Sequence, residues 1–285
     1  MSMHDAGWRL AVDRLGTRAL VIVALALPGL ALAPCHVLVA AEAAATQAAD
    51  AASNAKASPA ETAPVDSDGQ LEKLFEKEIT VTAKYHYLLS LPAGYEEGTR
   101  RWPLMLFLHG SGESGDSLAK VKANGPPKLI AQKDRAFPCI VVSPQSPGRG
   151  WNPDYLAALL DDICGTYRVD SERIYLTGLS MGGYGTWMLA AAQPDRFAAI
   201  VPICGGGNPA DADKLKGIPI WVFHGAEDKT VKLENSTKMV DALKAVGSDV
   251  KFTIYPEVGH DSWTETYANP ELYDWLFAQK RAARP

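Results

Sequence analysis

Ser180 stands in Gly178-Leu179-Ser180-Met181-Gly182-Gly183, after the apolar run Arg173 to Thr177 and before a helix-compatible run from Tyr184 to Ala192. A serine held between two glycines at such a junction reads as a nucleophile elbow, a turn sharp enough to project its hydroxyl, with glycines where a side chain would block the crossing. The N-terminus of the following helix would then face any negative charge that develops beside the serine. A serine hydroxyl is a weak nucleophile at neutral pH, so a histidine base and a carboxylate that orients it are also required. Of the six histidines, His4 and His36 fall in the N-terminal segment, His86 in an early strand-like segment, and His109 and His224 each end an apolar run just before a glycine. His260 follows the last strand-like run, Val250 to Tyr255, in the loop Val258-Gly259-His260-Asp261-Ser262-Trp263. It is the expected base.

The buried-strand run Ile218 to Phe223 empties into His224-Gly225-Ala226-Glu227-Asp228. Asp228 is the expected acid, and Glu227 is an adjacent competitor that spacing does not exclude. The chain order serine, aspartate, histidine is that of the α/β-hydrolases, and it differs from the orders of the trypsin-like and subtilisin-like proteases. An oxyanion hole would complete the set. One backbone N–H is expected from Met181, after the nucleophile, and another from Ser111 in His109-Gly110-Ser111-Gly112-Glu113, which follows the apolar run Pro103 to Leu108. His109 and His224 are expected to brace their loops.

These motifs resemble those of α/β-hydrolases in the esterase, dienelactone hydrolase and prolyl-oligopeptidase-like group. They are most similar to secreted carboxylesterases related to feruloyl esterases and polyhydroxybutyrate depolymerases, over about residues 85 to 278. The family's nucleophile falls on Ser180, its acid on Asp228 and its base on His260. Ser111 departs from the lipase-type pattern by replacing the second glycine of an H-G-G-G motif; the donor being a backbone N–H, the departure bears little on catalysis and is expected to act by narrowing the acyl end of the pocket. The resemblance implies a serine carboxylic-ester hydrolase that forms an acyl-enzyme and acts on soluble or polymer-linked esters, including feruloyl or acetyl esters of carbohydrates. The alternatives are a serine peptidase of the prolyl-oligopeptidase type and a non-catalytic binding module. No cofactor is implied, and no Cys and His spacing points to a metal.

The elements that must position these residues alternate, as in a mostly parallel sheet with helices on both faces. Strands are expected at Ile79 to Leu91, Leu104 to Leu108, Cys139 to Ser143, Arg173 to Thr177, Ala199 to Ile203, Pro219 to Phe223 and Val250 to Tyr255. Helices are expected at Pro153 to Tyr167, Tyr184 to Ala192, Leu233 to Ala245 and Pro270 to Gln279. The early strands are predicted to be antiparallel at one edge. Ser180, Asp228 and His260 then all lie just past the carboxyl ends of strands, where open α/β sheets place their sites. Only residues 204 to 218 separate two of the strands, too few for a cap domain.

Two aromatics, Trp151 in a Gly/Pro loop and Trp263 after His260, are candidates for substrate contact, with loop anchoring as the competing role. Gly125-Pro126-Pro127 either rims the pocket or starts a helix. Cys139, Cys164 and Cys204 lie in apolar runs and read as buried small hydrophobes, with at most one disulfide among them.

Ahead of this domain, Arg9, Arg14 and Arg18 precede the apolar stretch Ala19 to Ala33, and Val39-Ala40-Ala41 offers small residues for cleavage. Residues 1–41 are therefore expected to be a secretory signal, 42–70 an Ala/Ser/Pro-rich spacer, and 71–285 the catalytic domain, secreted or periplasmic and without stable membrane insertion. The net charge of −5 and the lack of a basic stripe exclude a nucleic-acid partner.

Overall fold

The computed structural model describes residues 74–281. The chain divides into two units, Met1–Lys77, of which only 74–77 are described, and Glu78–Pro285. The expected signal and spacer lie outside the described residues. In chain order the second unit comprises β1 (His86–Ser90), β2 (Trp102–Leu108), α1 (Leu118–Val121), α2 (Gly125–Gln132), β3 (Ile140–Gln145), α3 (Pro153–Thr166), β4 (Val169–Leu179), α4 (Met181–Ala192), β5 (Ala199–Ile203), α5 (Ala212–Leu215), β6 (Trp221–Gly225), α6 (Glu234–Ala245), β7 (Lys251–Tyr255), α7 (Ser262–Ala268) and α8 (Pro270–Ala278). Single 3₁₀ turns occur at Ser111–Glu113, Pro194–Arg196 and Pro209–Asp211.

The sheet runs β1-β3-β2-β4-β5-β6-β7, with β1 antiparallel to β3 and every other neighbouring pair parallel. Because side chains alternate across a strand, a fully apolar strand can serve two cores. Leu104, Leu106, Ile174, Leu176, Ile200, Ile220 and Val222 join one core, which α3, α4, α5 and α6 cover. Met105, Phe107, Tyr175, Ala199, Val201, Trp221 and Phe223 join the other, beneath α2, α7 and α8. The expected two-faced architecture is thus observed.

Several boundaries differ from expectation. The segment from Ile79 to Tyr85 forms no strand; Ile79 and Val81 are exposed, and pairing with β3 starts only where His86 meets Gln145. The helices α1, α5 and α7 were not among the expected elements, and α2 was expected only as one of two readings of Gly125-Pro126-Pro127; all four are of eight residues or fewer, too short for a clear 3.6-residue period. Gly125-Pro126-Pro127 starts α2, with prolines where the N–H groups would lack intrahelical acceptors anyway. Along the sheet, β3 extends the order to one side of β2 and β4 to β7 extend it to the other. The crevice at such a switch lies past the ends of β2 and β4, where the Ser111 turn and Ser180 emerge.

Candidate active site

A single residue, Ser180, joins β4 to α4, and its backbone lies at φ 52°, ψ −116°, where side chains are rare. Such a conformation costs about 1–3 kcal/mol and persists only where its surroundings impose it. Here the Ser180 N–H donates to Ile203 O at 3.0 Å, and Ser180 O accepts from the Tyr184 N–H at 3.1 Å. The flanking glycines are sterically required. A Cβ on Gly178 would lie 2.4 Å from Gly182 O, and one on Gly182 would lie 1.9 Å from Leu108 O. The elbow therefore packs backbone to backbone against the end of β2.

Asp228 and His260 meet Ser180 from the loops after β6 and β7. The His260 Nδ1 donates to Asp228 Oδ2 at 2.7 Å, and this fixes the tautomer in which Nε2 accepts the Ser180 hydroxyl at 2.9 Å. Asp228 is buried, and its other oxygen accepts the N–H groups of Thr230 at 2.8 Å and Val231 at 2.9 Å. Burial alone would raise its carboxyl, but the hydrogen bonds from His260, Val231 and Thr230 outweigh it and hold the group below its ordinary value. Glu227, the competitor, is exposed, and its N–H donates to Val258 O at 3.0 Å. Gly225 permits the approach of the two loops, since a Cβ there would lie 2.2 Å from both Val258 O and Gly259 O.

The two bracing histidines are fully buried. His109 donates from Nδ1 to Gly110 O at 2.6 Å and accepts the Ser146 N–H on Nε2 at 3.0 Å, so it bridges the loops after β2 and β3 as a neutral ring. Burial lowers its pKa, against smaller opposing effects of Gly110 and Glu113. His224 stands between Ser236 Oγ at 2.7 Å and Val231 O at 2.8 Å, with Nε2 also 3.3 Å from Asp228 Oδ2. Ser111 and Met181 each begin a helical turn, a position whose N–H has no acceptor within the turn.

Beside Ser180 opens a cleft of about 790 Å³, walled by Trp151, Met181, Tyr184, Trp187, Met188 and Met239 and edged by Asn208, Asp211 and Lys214. Trp151 lines it and is also anchored, being 7% exposed, with its Nε1 donating to His109 O at 3.3 Å and its ring 4.8 Å from that of His109. Trp263 is not among the cleft residues; its ring lies against His260, centroids 5.1 Å apart. The cleft residues from Tyr184 to Met188 carried no chemical signal in the sequence beyond a helix-compatible run.

The three cysteines of the domain are free thiols. One of them was missed as a neighbour of the site. Donor atoms of Cys204, Asp228 and His260 lie within 4.8 Å of one another, the one group among the described residues that could hold a metal ion. Asp228 and His260 are already committed to each other, and burial pushes the Cys204 thiol up to about 12. This juxtaposition of three distant segments leaves no spacing motif.

Residues 154–282 match the dienelactone hydrolase family. NocK of Nocardia uniformis subsp. tsuyamanensis, which carries the provisional name of an esterase, is 26% identical over 158 residues, 52% of this chain and 46% of its own length. A thermostable esterase of known structure is 37% identical, with a TM-score of 0.58 over 68% of this chain and 59% of that one. A ferulic acid esterase shares 20% identity at a TM-score of 0.53, over 67% of this chain and 92% of that one; at this identity the likeness is one of fold. The chain thus spans about half the length of the curated relative and under two thirds of the esterase structure. Sheet order, elbow and sequence agree: the fold is that of the α/β-hydrolases, and residues 154–282 match the dienelactone hydrolase family.

Proposed function

We propose that this protein is a serine carboxylic-ester hydrolase that works through an acyl-enzyme. The observation that carries the reading is the unbroken hydrogen-bonded line Asp228–His260–Ser180 at 2.7 and 2.9 Å. His260 Nε2 takes the Ser180 proton as Oγ attacks the ester carbonyl, and the N–H groups of Ser111 and Met181 receive the oxyanion. His260 then returns the proton to the departing alcohol. A water, deprotonated by the same nitrogen, releases the acid and restores the serine. Asp228 stabilises the imidazolium formed in each half-reaction.

The apolar walls of the cleft favour esters with a bulky apolar or aromatic group, and Asn208, Asp211 and Lys214 offer polar contacts at its edge. Feruloyl-type and polymer-linked esters fit this description, and an acetyl group would leave most of the volume unfilled. Export belongs to the same proposal, supported by the arginines and apolar stretch ahead of Val39-Ala40-Ala41. Among the described residues no helix is long and apolar enough to cross a membrane.

Hydrolysis of nitrophenyl esters of increasing acyl length tests the reading. Turnover is expected, with kcat/KM rising several-fold per added methylene until the cleft is filled, as about 0.8 kcal/mol per buried CH₂ allows. A folded protein that leaves every ester intact and cleaves peptides would overturn it. The approach of the acid and base loops gives a second expectation. Gly225→Ala forces apart loops that now leave 2.2 Å for a Cβ. Turnover should fall about 100-fold for a displacement on the order of 1 Å, with a stability cost of about 1–3 kcal/mol, both readable from ester kinetics and thermal unfolding.

A further inference from the structure

Trp263 lies on the first turn of α7, three residues after His260, with its ring plane at 90° to the imidazole. Its indole N–H donates to Asn124 Oδ1 at 3.2 Å. The other end of that amide, Nδ2, donates to Glu113 Oε1. Glu113 closes the 3₁₀ turn that Ser111 opens, is 6% exposed, and has its backbone carbonyl fixed by Gln145 Nε2 at 2.7 Å. Its second carboxylate oxygen is 4.0 Å from His109 Nδ1. A continuous line of side chains therefore runs from the turn that bears one oxyanion donor to the ring that takes the serine proton.

Backbone pins this line at its middle and at its Trp263 end. Gly125, next to Asn124, has φ 65° and no room for a Cβ, which would lie 2.5 Å from the Phe107 ring. Asp261 caps α7 by accepting the Thr264 N–H at 3.1 Å and the Thr264 hydroxyl at 3.0 Å, so the turn carrying Trp263 is fixed next to His260. Asp228 holds only one corner of the imidazole; a second support is needed to set the direction of its Nε2 lone pair.

We propose that Asn124 is a positioning residue: by tethering Trp263 to Glu113 it sets the His260 ring against Ser180 and keeps that ring in register with the Ser111 turn. The inference rests on the ester-hydrolase reading for the roles of Ser180 and His260. Sequence separation hides the relation, since Asn124 and Trp263 are 139 residues apart.

The test compares the parent with Trp263→Phe, which keeps an aromatic ring beside His260 and removes the indole N–H together with part of the indole, with Asn124→Ala, and with the double variant. Two rates are read: covalent labelling of Ser180 by a fluorophosphonate, and kcat and KM for a short nitrophenyl ester. Each single variant should lower both labelling and kcat about 10-fold with KM nearly unchanged, and the double should be no slower than the slower single, since both cut one line. Folding is verified by thermal unfolding, and if Asn124→Ala does not fold, Trp263→Phe alone decides. Folded variants that react at the parental rate overturn the proposal, as does a double variant whose loss is the product of the two singles. Lower stability with unchanged rates makes the line a structural tie only, which also overturns it. If the parent is labelled but hydrolyses no ester, the ester reading fails and the labelling rates still judge Asn124. A folded parent that is not labelled overturns both.

Discussion

Ser180→Ala is expected to eliminate ester hydrolysis, with kcat lower by about 10⁶-fold, while the protein remains folded. The hydroxyl makes a hydrogen bond to His260 Nε2 at 2.9 Å, and the contacts that impose the turn are backbone contacts to Ile203 and Tyr184. Alanine leaves those in place. The cost in stability should be about 1 kcal/mol for one lost hydrogen bond, a shift of about 2–4 °C in the unfolding midpoint for a domain of this size. A residual rate about 10³- to 10⁴-fold above that in water is expected, because the N–H groups of Ser111 and Met181 would still polarise a bound carbonyl. Burst kinetics separate the steps: the parent should release one equivalent of nitrophenol quickly when deacylation is slow, and the variant should show no burst. A folded variant with more than about one hundredth of the parental turnover would remove Ser180 from the nucleophile's role and, with it, the acyl-enzyme.

The elbow was legible in the sequence because each of its requirements is local. Gly178 and Gly182 carry information that a helix or strand propensity would never supply, and the structure gives their reason as backbone contacts with Gly182 O and Leu108 O. β5 was found at its observed bounds, since its five residues are buried on both faces and stand out as a short apolar run. The approach of Asp228 and His260 to Ser180 could be expected from chain order and from the rule that sites lie past strand ends; spacing could not choose between Glu227 and Asp228. What separates them is direction: Asp228 turns inward onto two backbone N–H groups, whereas Glu227 faces solvent. α7 was missed although Asp261 and Thr264 form a capping pair at its start, because its seven residues have no measurable period. The Glu113–Asn124–Trp263 line and the position of Cys204 beside Asp228 and His260 had no local signal at all. They arise from contacts between elements far apart in the chain, which only the sheet order creates.

Asp228→Asn is expected to lower kcat by about 10⁴-fold with little change in KM, and the backbone around the residue explains why. Thr230 and Val231 donate N–H groups to Oδ1, so the carbonyl oxygen of an asparagine must take that side. Its NH₂ is then left facing His260 Nδ1. An amide donor there requires Nδ1 to accept, which moves the ring proton to Nε2, the atom that must take the Ser180 proton. The variant is thus held in the wrong tautomer by the same two N–H groups that preserve its fold. The acid limb of stability should change as well. In the parent the folded-state carboxyl lies below its ordinary value of 3.8, so the ionised group contributes stability above that value, and the contribution is lost as pH falls through the lower folded value. Asparagine has no such titration, and its unfolding midpoint should decline less steeply than the parent's below about pH 4. Paired measurements of kcat and of midpoint against pH therefore read two consequences of one carboxylate. Retention of activity within about 100-fold by Asp228→Asn, beside its loss in Glu227→Gln, would transfer the acid's role to Glu227, and the hydrogen bond to His260 Nδ1 would then be a feature of the resting enzyme alone.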